Sequence, residues 1–126
     1  MEYNIGIDLG GTNINVGVVD SNYNIVGRGV LKTNLPRPEG DIADDIVKAT
    51  ALACDDAGIT INDVSSIGIG TPGSANRDSG IVIYSSNLGF DNTDLRGLLS
   101  TRFKQMIKGE TKAFANIFVE NDANAA

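Results

Sequence analysis

Histidine is absent from this chain and cysteine occurs once, as Cys54. A single cysteine excludes an internal disulfide and suits a reducing compartment, and in its helical stretch Cys54 reads as a small core residue. With no histidine and one cysteine, no His/Cys zinc site can form within these 126 residues. No apolar run reaches membrane-spanning length, and the first residues read as a strand rather than a signal peptide. Basic residues number 10 against 16 acidic ones, and the net charge of −6, without any Lys/Arg cluster, speaks against a nucleic-acid surface. Internal repeats and low-complexity stretches are lacking too. What remains is one domain of cytoplasmic character, long enough to bury a real core.

The most informative run is Asp8-Leu9-Gly10-Gly11-Thr12-Asn13. Tyr3, Ile5 and Ile7 precede it and Ile14, Val16 and Val18 follow it, each alternating with other residues as in half-buried strands. Strands this close, joined by Gly-Gly, can pair only as a hairpin. A glycine-lined turn lets backbone N–H groups approach phosphate oxygens, Thr12 adds a hydroxyl donor, and Asp8 can hold a metal-bound water. Glycine pairs are also ordinary hairpin residues, so the turn alone leaves both readings open.

The remaining elements follow from periodicity. Residues 3–8, 14–20 and 24–33 read as three antiparallel strands, after which Pro36 and Pro38 break the chain. From about 40 to 57, Ile42, Ile46, Ala49, Ala53 and Ala57 step at helical spacing, and Gly58 stops the helix. Asp41, Asp44 and Asp45 in its first turn suit the helix dipole and read as a solvated face. A strand at 64–70 and a short one at 81–84 come next. A helix over about 93–107 carries Leu95, Leu98, Leu99, Phe103 and Met106 on one side. A polar connection leads to a last strand, Asn116 to Val119. This β-β-β-α-β-α-β order implies a mixed sheet, with the later strands parallel to the first.

Gly68-Ile69-Gly70-Thr71-Pro72-Gly73 fits the dinucleotide pattern G-x-G-x-x-G, which requires a helix to open directly after it. Here Pro72, Gly73, Ser74, Asn76, Asp78 and Gly80 make a loop, so NAD binding is rejected. At the far end, Glu120-Asn121-Asp122-Ala123-Asn124-Ala125-Ala126 follows a strand, and its alanines favour helix. A carboxylate where a strand gives way to a helix is a usual place for a catalytic group, although Asn121 or Asp122 also serves as a plain N-cap.

Four motifs together resemble the ROK sugar kinases and their repressor relatives. They are Asp8-Leu9-Gly10-Gly11-Thr12, Gly68 to Gly73, Ser86-Asn87-Leu88-Gly89-Phe90, and Glu120 to Ala126, in the family's order and spanning nearly the whole chain. The resemblance implies an α/β fold: an actin-like, ribonuclease-H-like ATPase domain with a mixed five-stranded sheet and flanking helices. It implies Asp122 as general base for a sugar hydroxyl, and Gly73, Asn87 and Asn121 around the sugar. It further implies Asp8, Gly10, Gly11 and Thr12 around the phosphates of ATP and Mg²⁺. Asn76 and Asn124 read first as turn or helix residues. Asn13 stands where many relatives carry Lys, and Phe90 where a Trp is frequent.

The resemblance reaches only the first of the family's two domains. The chain is therefore read as the amino-terminal domain fragment of a longer kinase, expected to be inactive alone. The second domain would hold the adenine, the remaining sugar ligands and the His/Cys cluster that commonly binds a structural zinc. For the parent, the implied activity is ATP-dependent phosphorylation of a hexose, glucose at the 6-hydroxyl foremost, in a homodimer with neither nucleic acid nor membrane as partner. The alternatives are a sugar-sensing transcriptional regulator of the same family and a non-catalytic actin-like or chaperone-type module.

Overall fold

In the computed structural model, residues 2–86, 88–107 and 112–121 are described. Three strands come first: β1 (Tyr3–Leu9), β2 (Asn13–Val19) and β3 (Ile25–Lys32). Helix α1 (Glu39–Ala57) follows, then β4 (Val64–Thr71), β5 (Ser74–Asn76), β6 (Ile81–Ser85) and β7 (Phe90–Asp94). Helix α2 (Leu95–Met106) and β8 (Ile117–Asn121) complete the order. The main sheet runs β3-β2-β1-β4-β8, and β5-β6-β7 form a small second sheet. The first three strands pair antiparallel, whereas β4 and β8 run parallel to β1. This is the mixed five-stranded sheet of the actin-like fold expected from the sequence.

Alternation decides which way the sheet faces. Register sets Val18, Ile5, Ile67 and Ile117 in one row and Val16, Ile7, Ile69 and Val119 in the next. All eight are buried, together with Ile42 and Ile46 of α1 and Leu95, Leu99 and Phe103 of α2. Each such side chain contributes about 1.5–3 kcal/mol through burial. Both helices therefore lie on this face. At the β3 edge α1 sits closer than usual, because Gly27 and Gly29 face Ala49, Ala53 and Ala57 and neither surface carries a long side chain.

Two strands go beyond the sequence reading. The expected loop after Pro72 contains β5, and the helix expected from about 93 begins at Leu95, because Thr93 and Asp94 belong to β7. Asp94 caps α2 by accepting the Gly97 N–H at 3.1 Å. Met106 is exposed rather than on the buried stripe. Gly58 ends α1 in the left-handed conformation, φ 72°, as its position suggested. The acidic first turn of α1 is only partly a solvated face, since Asp45 pairs with Arg37 at 2.5 Å. Among the described residues, no helix is long and apolar enough to cross a membrane.

Candidate functional site

Parallel pairing of β1, β4 and β8 brings their C-terminal ends to one edge of the sheet, where ligands of open α/β sheets usually bind. Four of the sequence candidates follow directly from β1 or close it. Asp8 is its penultimate residue, and Gly10, Gly11 and Thr12 make the turn into β2. The Gly10 N–H donates to the Asn13 carbonyl at 2.9 Å. Buried Thr33, just past β3, braces the turn from behind: its hydroxyl donates to the Gly10 carbonyl at 2.8 Å and its N–H to the Thr12 carbonyl at 2.9 Å.

These contacts occupy carbonyls and leave donors open. Among the described residues, the N–H groups of Gly11 and Thr12, the Thr12 hydroxyl and the Asp8 carboxylate have no hydrogen-bond partner. Gly11, Thr12 and Asp8 are all exposed. Neither Gly10 nor Gly11 has positive φ, so backbone conformation does not demand glycine at these positions. A Cβ on Gly10 would lie 3.2 Å from the Asn13 oxygen, a tight contact. The arrangement offers anion donors beside one free carboxylate, a chemistry that fits a phosphate chain and a largely hydrated Mg²⁺. Among the described residues no group of three or more His, Cys, Asp or Glu could hold a metal without such help.

The second cluster joins β4 to β8. Gly73 follows β4 with φ 89°, and a Cβ there would fall 2.2 Å from the Tyr84 oxygen, so only glycine fits. Asn121, the last residue of β8, donates its side-chain amide to the Gly73 carbonyl. Two sequence candidates are thus in direct contact. Asn87 and Asp122 lie outside the described residues. After Gly68–Gly73 comes strand β5, not a helix, which removes the dinucleotide reading.

Other features had no sequence signal. Arg77, in the β5–β6 turn, pairs through Nε with Glu120 at 2.8 Å, and its guanidinium stands 5.8 Å from the centre of the Phe118 ring. Ser85 is buried beside Gly73, and its hydroxyl has no partner among the described residues. A recess of about 300 Å³ lies between Ala75, Arg77, Glu120 and Asn121. A larger cleft, about 670 Å³, covers the sheet face opposite the helices, with Gly6, Gly17 and Gly68 in its floor and Ile25, Val30 and Phe118 among its walls. Of the described candidate residues only Asp8 borders this cleft, which Arg77 and Glu120 also line.

Known proteins share this fold. Residues 4–126 match the ROK family. The chain is 33% identical over 122 residues to a glucokinase of Thermotoga maritima, covering 96% of this chain and 34% of that protein. It superposes on the crystal structure of a ROK family glucokinase from Streptomyces griseus, in complex with glucose and AMPPNP, with a TM-score of 0.76 and 32% identity, over 97% of this chain and 34% of that one. A putative xylose repressor of a Caldicellulosiruptor species is 26% identical over 125 residues, covering 96% of this chain and 28% of that protein. The chain spans about a third of the length of the curated relatives it matches. On sequence and fold alike, it belongs to the ROK family.

Proposed function

We propose that this chain is the amino-terminal domain of a sugar kinase, and that the full-length protein transfers the γ-phosphoryl group of ATP to a hexose, glucose at its 6-hydroxyl foremost. The observation that carries this reading is the set of donors at Gly11 and Thr12 beside the Asp8 carboxylate, all without a partner among the described residues, on the sheet edge that also holds the Gly73–Asn121 contact. Likeness to glucokinases supports the sugar as substrate class.

In this scheme Gly11 and Thr12 donate to phosphate oxygens, and Asp8 orients water around Mg²⁺. The metal, when bound, neutralises charge developing on the phosphates. Asn121 and Asn87 each present a donor and an acceptor to neighbouring sugar hydroxyls, with Gly73 shaping the pocket floor. Asp122, next in the chain after Asn121, takes the proton from the attacking hydroxyl. Transfer depends on positioning and charge stabilisation more than on covalent chemistry, so two rigid strand ends are a suitable platform.

A sensor that binds sugar and has lost the reaction is the competing reading, and the repressor relative is what favours it. The test is hexose-dependent ADP release by the full-length protein across a panel of sugars, with Asp122→Asn as control. Turnover with one sugar, reduced at least about a hundredfold by that change, is expected. Sugar binding without turnover would favour the sensor.

A further inference from the structure

Glu120 and Phe118 alternate along β8 and so point to the same side of the sheet. Arg77 reaches across from the β5–β6 turn and touches both, its Nε on the carboxylate and its guanidinium over the ring. One residue further on, Asn121 reaches the other way and donates to the Gly73 carbonyl, immediately before β5. The Thr71 hydroxyl donates to the Glu120 carbonyl at 3.4 Å. The end of β8 is thus tied to the small sheet at two successive residues, from opposite directions.

We propose that Arg77 is a positioning residue: through Glu120 it fixes the end of β8, and with it the orientation of the Asn121 carboxamide against Gly73. The inference rests on the sugar-site reading of Asn121 given above. Folding stability does not account for the contact, because the Arg77 side chain is 67% exposed, against 20% for Glu120, and ion pairs so open to water add little. The planar guanidinium suits the place better than an ammonium, since it can stack on Phe118 and bond Glu120 together. Removing Arg77 therefore alters where Asn121 sits more than whether the domain folds.

The experiment uses the full-length protein and the variants Arg77→Ala, Arg77→Lys, Glu120→Gln and the Arg77→Ala/Glu120→Gln pair. With the accepted sugar, Arg77→Ala should raise the sugar KM about fivefold to tenfold and leave the ATP KM within about twofold. Its thermal midpoint should stay within about 3 °C of the parent. Lys should recover part of the loss, and the double variant should be no worse than the poorer single one, because both changes break one contact. Unchanged sugar KM, equal effects on both substrates, or losses that multiply would overturn the proposal. A readout independent of turnover is the Asn121 side-chain amide resonance, expected to shift in Arg77→Ala and not in the remote Lys48→Ala. If no sugar is turned over but that resonance moves as expected, the kinase reading fails and the positioning role stands. If it does not move, the positioning role fails whatever the enzyme does.

Discussion

Gly29 lies so close beneath α1 that a Cβ on it would stand 2.2 Å from the carbonyl oxygen of Ala49. The obstacle is backbone, which no rotamer change can move aside, so an added methyl must lift the helix from the strand. Gly29→Ala should therefore destabilise the protein by about 1–3 kcal/mol, the usual cost of overpacking, read as a lower urea midpoint. Gly40→Ala gives the contrast. Its nearest obstacle is the mobile end of Arg102, 2.9 Å away, and alanine favours helix there. Equal losses at the two positions would show that the close approach of α1 to β3 is not as described.

Thr33 makes a second prediction, about the phosphate turn. Thr33→Val keeps the shape but leaves the Gly10 carbonyl without the hydroxyl that satisfies it. Stability should fall by about 1–2 kcal/mol. In the full-length protein the ATP KM should rise while the sugar KM holds, because the brace touches the turn at Gly10 and Thr12 and makes no contact with Gly73 or Asn121. A rise in both constants would argue that the two halves of the site move together.

The third concerns alkaline stability. Burial, aided by repulsion from Asp55 and Asp63, pushes the Cys54 thiol from 9.0 up to about 11. Between those values the folded state holds a proton that the unfolded chain has lost. Its contribution is full below about pH 9 and is lost as pH rises toward 11. Urea midpoints measured from about pH 8 to about pH 10.5 should fall less steeply for Cys54→Ala than for the parent. Parallel slopes would place the thiol in contact with water.

What the sequence made legible was whatever period alone can carry. Ile5, Ile7 and Leu9 alternate cleanly, Ile42 to Ala57 keep helical spacing, and Gly58 is an unambiguous stop, so β1 to β3 and α1 emerge with little error. Strand β7 is different. Its residues include Asp91, Asn92 and Asp94, poor strand formers, with Asn92 at φ 49°. It is a strand because β6 pairs with it and because buried Thr93 donates to Glu39 at 2.8 Å. Such long-range partners leave no local trace. The same holds at the site: Gly10-Gly11-Thr12 signals by residue type, whereas Arg77 becomes visible only once the fold has carried Glu120 and Phe118 to it.

The glycines of the outer sheet face have a consequence for clearance. Register sets Gly17, Gly6 and Gly68 side by side across three neighbouring strands. A Cβ at Gly6 would meet nothing within 4 Å, so the sheet itself makes no demand for glycine there, and glycine inside a strand weakens it. Layers on ordinary sheets stand about 10 Å off, held there by the side chains between them. Over these three residues that spacer is gone and the peptide planes are the surface. Whatever rests there can sit nearer the backbone by the depth of a side chain, and even one methyl group would raise the floor.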